Sequence, residues 1–152
     1  YAGVGPLAAV AGAVAEFVGR DLMNSSSQVV VENGGDIFLN ASQELNIAVF
    51  AGDSPLSYQI ALRIKPGDTP LGICTSSGTV GHSISFGKAD AVCVKAKSAA
   101  LADAAATAIG NRVMNKADIK HALESGALIQ GVLGILIILE KQMGVIGDME
   151  LI

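Results

Sequence analysis

The chain has 152 residues, of which 51% are hydrophobic and 4% aromatic, and its formal net charge at pH 7 is −4. This length and apolar content predict one globular domain with an ordinary hydrophobic core. Only 10 lysines and arginines are present and tryptophan is absent, so the chain has neither the basic surface nor the stacking platforms typical of nucleic-acid binding. Nucleic acid is therefore not an expected partner.

The longest apolar stretches, residues 5–18 and 131–139, are shorter than the roughly 20 residues of a membrane span, so we expect none. The two cysteines, Cys74 and Cys93, form no C-x-x-C or Cys/His cluster. They predict reduced thiols and a cytoplasmic location rather than disulfides or structural zinc. Because the chain begins at Tyr1, we expect residues 1–152 to be a single domain that lacks an N-terminal portion of the full protein.

The first elements are a helix and a hairpin. Pro6 suits the first turn of a helix over residues 7–23, whose scarcity of polar side chains predicts burial nearly all round. The β-branched residues 29–31 predict a buried strand, and the turn at residues 33–36 leads to a second strand at residues 37–39.

The sequence predicts strands in the centre of the chain, and two helices and a hairpin in its last part. Four further strands are predicted at residues 45–51, 58–64, 71–74 and 90–94. Helices over residues 99–114, with Ser98 as N-cap, and over 115–128 precede a closing hairpin of residues 131–139 and 143–152. The fold class is therefore α+β, with a mixed or mainly antiparallel sheet packed with helices.

A carboxylate and a hydroxyl share one face of the helix over residues 99–114. Asp103 and Thr107 are four residues apart among alanines and glycine, so their side chains are neighbours one turn apart. Two hard oxygens on a rigid element suit Mg²⁺, which takes few protein ligands and completes its shell with phosphate oxygens and water. The alternative is that Asp103 complements the helix N-terminus and Thr107 bonds its own backbone.

Hydroxyl groups and glycines gather around one of the two histidines. Thr75, Ser76, Ser77 and Gly78 precede His82, and such a loop can offer backbone N–H groups and hydroxyls to phosphate oxygens. His82 is a candidate general base near neutral pH. The alternative is a turn in which the Ser and Thr side chains cap their own backbone.

A glycine pair follows the first predicted strand. In the stretch Glu32-Asn33-Gly34-Gly35-Asp36 the two glycines permit positive φ and the close approach of a ligand. The same pattern is also typical of a plain β-hairpin.

In their order along the chain these stretches resemble the ApbE family, flavin transferases that move FMN from FAD onto a protein threonine. That family combines an alanine-rich helix, an N-A-G-G-D-I motif, A-T-S-G, a histidine and a helix with A-D-A-x-A-T-A. The corresponding stretches here are residues 5–17, 32–37, 75–78, His82 and 102–108. The sequence of residues 72–90 is even more similar to an uncharacterised prokaryotic branch of ApbE-like proteins.

The resemblance implies an ApbE-like fold in which Asp103 and Thr107 bind Mg²⁺ against the pyrophosphate of FAD. Residues 32–36 and 75–78 would then contact the flavin nucleotide, and His82 would be the base. The implied reaction is attack of an acceptor protein's hydroxyl on the flavin-side phosphorus, with AMP leaving, or cleavage of the FAD pyrophosphate.

Two departures from the family pattern support a rival interpretation. His82 is followed by Ser-Ile-Ser-Phe-Gly-Lys where the family has I-I-D-P-x-T-G, and residues 7–12 lack the family's lysine, tyrosine and aspartate. The alternative is a non-catalytic binding protein that retains the fold and metal site with a different ligand. A homo-oligomeric scaffold is a third hypothesis, motivated by the apolar residues 131–139.

Overall fold

The computed structural model describes residues 2–80 and 86–152. Its helices are α1 (Val10–Leu22), α2 (Ala99–Gly110) and α3 (Asp118–Ala127), with 3₁₀ turns at Pro6–Ala9 and Pro66–Asp68. The strands are, in chain order, β1 (Val29–Asn33), β2 (Asp36–Asn40), β3 (Leu45–Ala48), β4 (Ala61–Ile64), β5 (Leu71–Ser76), β6 (Ala91–Ala96), β7 (Val132–Leu139) and β8 (Gln142–Gly147).

Six strands form one sheet in the order β1-β2-β5-β6-β7-β8, and every neighbouring pair is antiparallel. β3 and β4 form a second, two-stranded antiparallel sheet. The predicted α+β class with a mainly antiparallel sheet is confirmed. Residues 131–139, whose apolar run also suggested an oligomer surface, form the internal strand β7 between β6 and β8.

The large sheet is buried on both faces, which explains the apolar run in β7. Ile135 and Ile137 belong to the core beneath the helices, whereas Leu136 and Ile138 belong to the core shared with β3 and β4. Successive side chains of a strand point to opposite faces, so a strand covered on both sides must be apolar throughout. The molecule thus has three layers: helices, large sheet and small sheet.

The prediction that the first helix is buried nearly all round is wrong. The buried residues of α1 are Gly12, Ala15 and Gly19, while Phe17 is 76% exposed. The reason is close packing: a Cβ at Gly12 would overlap the Ala99 carbonyl, and one at Gly19 would overlap the Phe38 ring. The small side chains must therefore face inward, and the larger apolar ones are left outside.

Several element boundaries also differ from the predictions. Val30 is 53% exposed, because β1 is an edge strand and not a buried one. Tyr58 was expected to begin a strand, but it lies in a turn with a φ of 58°, and β4 begins at Ala61.

No helix in the described part of the chain is long and apolar enough to cross a membrane.

Helix α2 has two caps at its N-terminus, one from its own chain segment and one from α1. The Ser98 hydroxyl accepts a hydrogen bond from the Leu101 N–H at 3.3 Å, as predicted. The Glu16 carboxylate accepts hydrogen bonds from the Ser98 hydroxyl at 2.7 Å and from the Ala99 N–H at 2.8 Å. A charged acceptor on α1 therefore occupies the positive end of α2 and fixes the two helices together.

Both cysteines are free and buried. Burial raises the pKa of the Cys93 thiol to about 11 and raises the pKa of Cys74 even further. Neither thiol is therefore a nucleophile at neutral pH, since the reactive form is the thiolate.

We predict that Gly72→Ala destabilises the fold, because a Cβ at Gly72 would overlap the Ala99 backbone at the start of α2. Overpacking of this kind costs about 1 to 3 kcal/mol of unfolding free energy, measurable by urea denaturation. Gly67→Ala is the matched control, since a Cβ there meets nothing within 4 Å. Equal stability of the two variants would contradict the close packing.

We also predict that Glu16→Gln lowers the unfolding free energy by about 1 to 3 kcal/mol at pH 7, because it removes charge-assisted hydrogen bonds. Burial alone would raise the pKa of Glu16, but hydrogen bonds from Ser98 and Arg20 hold it below 4.5. The stabilisation is therefore present above about pH 4.5 and lost as the pH falls further.

Glu124→Gln serves as the control for Glu16, because Glu124 is 60% exposed and 3.9 Å from Lys120. Such surface pairs contribute little, so this variant should unfold like the parent chain at every pH. If the difference in unfolding free energy between Glu16→Gln and the parent chain does not become smaller below pH 4, the capping interpretation is contradicted.

Candidate active site

A cleft of about 970 Å³ lies at one end of the large sheet and is lined by residues of all three layers. Its walls come from the β1–β2 turn, the end of β5, the helix α2 and the segment that joins β3 to β4. The predicted site residues that line it are Glu32, Gly34, Gly35, Asp36, Thr75, Ser76, Ser77, Asp103 and Thr107. Stretches up to 75 residues apart in the sequence, from Glu32 to Thr107, therefore meet in one place.

The β1–β2 turn presents an open backbone to the cleft. Gly34 and Gly35 have φ values of 66° and 98°, which two-residue hairpin turns of this kind require and glycine adopts without strain. The Gly35 N–H donates to the Glu32 carboxylate at 3.0 Å. A Cβ at Gly34 would meet nothing within 4 Å, so a ligand can approach this backbone closely.

Two predicted contact residues of these stretches do not line the cleft. The Asn33 amide group is turned toward α1, where it donates to the Ala11 carbonyl at 3.3 Å. Gly78 is held in the loop after β5, where its N–H donates to the Ala89 carbonyl at 2.9 Å and a Cβ would overlap the Gly87 carbonyl. His82, the predicted general base, lies outside the described residues.

The hydroxyl of Ser77 is engaged in a local turn. It accepts hydrogen bonds from the Val80 N–H at 2.9 Å and the Thr79 N–H at 3.1 Å. For this side chain the structure favours the capping alternative raised by the sequence. Thr75 and Ser76, at the end of β5, also line the cleft, and as consecutive residues of a strand they point to opposite faces of it.

Asp103 and Thr107 project from α2 into the cleft, as their spacing predicts. The Asp103 carboxylate accepts a hydrogen bond from the Gly12 N–H of α1 at 2.9 Å. Asp103 therefore does not complement the start of its own helix, which is capped by Ser98 and Glu16. This contact fixes the carboxylate on the wall of the cleft.

Asp36 and Asp103 form a pair of mutually repelling carboxylates. Asp36 is only 9% exposed, and burial, reinforced by the charge of Asp103, raises its pKa to about 7. Burial also raises the pKa of Asp103, against the opposing effect of the Gly12 N–H. An acid whose pKa is raised toward neutrality in a cleft is a frequent mark of a functional site.

The cleft also contains residues that the sequence analysis missed. Phe50 and Tyr58 line it from the segment between β3 and β4, and their rings stack with centroids 5.2 Å apart. No local pattern pointed to them, because they lie in what looked like two ordinary strands. Asp36 was expected to contact a ligand, but its raised pKa was not expected: burial is the larger cause, and the charge of Asp103, 67 residues away in the sequence, adds to it.

The described residues contain no group of three or more His, Cys, Asp or Glu side chains arranged to hold a metal ion. Sites dominated by nitrogen or sulfur ligands are therefore not found in this part of the chain. Two carboxylates and a threonine hydroxyl are hard oxygen donors, and they suit an ion such as Mg²⁺ that uses few protein ligands. A bound cation would also relieve the repulsion between Asp36 and Asp103.

Comparison with known proteins gives consistent matches. Residues 1–151 match a family model described as AbpE bacteria. A UPF0280 protein of Methanocaldococcus jannaschii is 44% identical over 151 residues, which are 96% of this chain and 61% of the relative. A UPF0280 protein of Methanothermobacter thermautotrophicus is 41% identical over 149 residues, which are 95% of this chain and 58% of the relative. The chain thus spans about three fifths of these relatives' length.

Two crystal structures share the fold. The ApbE protein of Thermotoga maritima superimposes with a TM-score of 0.62 and 18% identity, over 88% of this chain and 49% of that protein. The apo form of the flavinyl transferase ApbE of Pseudomonas stutzeri gives a TM-score of 0.59 and 16% identity, over 93% of this chain and 47% of that protein. At this level of identity the similarity establishes the fold alone.

We predict that the acid pair makes the fold less stable as the pH rises. With a pKa of about 7 in the fold against 3.8 ordinarily, Asp36 binds a proton more readily when folded, so its contribution falls between about pH 4 and pH 7. The loss amounts to about 2 to 4 kcal/mol. Asp36→Asn should remove it and unfold at higher urea concentration than the parent chain at pH 8, with chelator present.

The exposed Asp53 provides the control for this measurement, since Asp53→Asn should keep the pH dependence of the parent chain. If Asp36→Asn lost stability between pH 5 and pH 8 as steeply as the parent chain, the raised pKa would be refuted.

Proposed function

The chain belongs to the ApbE-like family described as AbpE bacteria, and from that premise we propose that it binds a flavin nucleotide, FAD, together with Mg²⁺. The observation that carries the proposal is the meeting of Asp103, Thr107 and the Gly34-Gly35 turn in one cleft. Its volume of about 970 Å³ is at the upper end of the range for small-molecule sites and suits a dinucleotide.

In this proposal Asp103 and Thr107 hold the magnesium ion. Both project from the rigid helix α2, and the hydrogen bond from Gly12 holds Asp103 in place. The ion would offset the negative charge of the pyrophosphate. A cation there would favour the ionised form of Asp36 and Asp103 and so oppose the burial that raises the pKa of both acids.

The pyrophosphate would contact the wall formed by the β1–β2 turn and the end of β5. Gly34 leaves room for phosphate oxygens, whereas the Gly35 N–H already donates to the Glu32 carboxylate. Thr75 and Ser76 also line the cleft and carry hydroxyl groups. These contacts would orient the phosphates without providing a nucleophile.

The reaction we propose is transfer of FMN to a hydroxyl group of an acceptor protein. The acceptor oxygen forms a bond to the flavin-side phosphorus, the pyrophosphate bond breaks, and AMP leaves. His82 is the proposed acceptor of the hydroxyl proton. The two free buried cysteines favour a cytoplasmic location for this activity.

A second candidate is a protein that binds the nucleotide without turning it over. The observation in its favour is the sequence after His82, which lacks the Asp-Pro and Thr-Gly of the ApbE pattern. Under this hypothesis the fold and the metal site are retained while the acid-base chemistry is lost.

We predict that Mg²⁺ strengthens FAD binding to the parent chain at least tenfold in isothermal titration calorimetry, and that Asp103→Asn abolishes this effect. Asparagine can still accept the hydrogen bond from Gly12 but carries no charge for the ion. Asp53→Asn, at an exposed position outside the cleft, should bind like the parent chain. An identical magnesium effect in Asp103→Asn would refute the metal site, and no FAD binding by the parent chain would refute the proposed function.

Chromatography of the same mixtures distinguishes the two candidates. Release of AMP or FMN by the parent chain, lost in Asp103→Asn, supports the transferase or pyrophosphatase reaction. Magnesium-dependent binding without release, in mixtures that hold no acceptor protein, argues against the pyrophosphatase reaction and is the result expected of the non-catalytic binding protein.

A further inference from the structure

Two aromatic rings are exposed at the wall of the cleft formed by the segment that joins β3 to β4. Phe50 is 46% and Tyr58 65% exposed, and their rings stack with centroids 5.2 Å apart at an angle of 28°. The chain has only six aromatic residues, two Tyr and four Phe, and no Trp. Two of the six therefore form an open stack that lines the same cleft as Asp103 and Thr107.

The backbone holds this stack in a defined geometry. Tyr58 has a φ of 58°, a left-handed conformation that is unfavourable for a bulky residue and persists only where neighbouring contacts impose it. Its N–H donates to the Val49 carbonyl at 2.8 Å, and the Val49 N–H donates to the Ile60 carbonyl at 2.9 Å. These bonds close the segment into a compact loop and point to a ring whose position matters.

The loop between the two rings is anchored as well. The Ala51 N–H donates to the Ser57 hydroxyl at 3.0 Å. The Ser54 hydroxyl donates to the Glu140 carbonyl at 2.5 Å, which joins the loop to the β7–β8 turn. The stack is therefore built before any ligand arrives, which lowers the ordering cost of binding.

We infer that Phe50 and Tyr58 form an aromatic platform on which a planar heteroaromatic ring of the bound nucleotide stacks, while its phosphates lie near α2. This inference rests on the proposed function and adds a subsite to it. A flat ring on Tyr58 gains the dispersion and electrostatic attraction of offset stacking. The flavin ring and the adenine ring of FAD share this chemistry, and the ligands in the experiment below separate them.

The test is titration of the chain with FMN, AMP and FAD in the presence of Mg²⁺, followed by calorimetry and by flavin fluorescence. Tyr58→Asn removes the ring, and asparagine tolerates left-handed backbone better than other non-glycine residues. Phe50→Leu removes the second ring but keeps an apolar side chain. Both variants should weaken binding of the stacked nucleotide at least fivefold, as loss of a stacking ring does in other proteins.

Two further variants separate stacking from structural effects. Tyr58→Phe keeps the ring and should bind like the parent chain, with the same quenching of the flavin emission. Phe17→Leu removes an aromatic side chain that is 76% exposed on α1 and does not line the cleft, so it should also change nothing. Thermal unfolding of every variant confirms that the fold is intact.

Comparison of the three ligands shows which ring of FAD stacks on the platform. A loss in FMN binding with AMP binding unchanged assigns the platform to the flavin, and the converse assigns it to the adenine. If the parent chain binds FAD and Tyr58→Asn binds all three ligands equally well, the platform is refuted while the proposed function stands. If the parent chain binds none of them, both the platform and the proposed function are refuted.

Discussion

The close packing of an alanine-rich helix between a second helix and the sheet determines most of this structure. Helix α2 approaches β5 so closely that no side chain larger than hydrogen fits at Gly72, and α1 approaches α2 so closely that the same holds at Gly12. Interiors are packed at crystal-like density, so such contacts permit little adjustment. The position of α2, and with it that of Asp103 and Thr107, is therefore fixed by steric contact on two sides.

This packing also explains which parts of the fold were predictable from the sequence. The apolar run of β7 and the capped start of α2 depend on local patterns, and both were predicted. The burial of α1 was predicted wrongly, because its hydrophobic content does not tell which face is inside. Close approach selects the small residues for the inner face, so Gly12 and Gly19 are buried and Phe17 is exposed.

The sequence predicts the residues of the candidate site but not the raised pKa of one of its acids. Glycine pairs, hydroxyl runs and the four-residue spacing of Asp103 and Thr107 each have a local signature, and the structure brings them into one cleft. The raised pKa of Asp36 has none, since it arises from burial and from a charge on another element. The Phe50–Tyr58 stack was not predicted either. The alternation of residues 58–64 predicts a strand that begins at Tyr58, but the structure has this residue in a left-handed turn.

The walls of the cleft come from different layers, and this has an evolutionary consequence. Asp103 and Thr107 belong to α2, whose contacts with Gly12 of α1 and Gly72 of β5 leave little tolerance for substitution. Phe50 and Tyr58 belong to a loop of the small sheet that can change length and composition without disturbing that packing. Related chains can therefore vary the aromatic side of the cleft while the side formed by α2 stays the same.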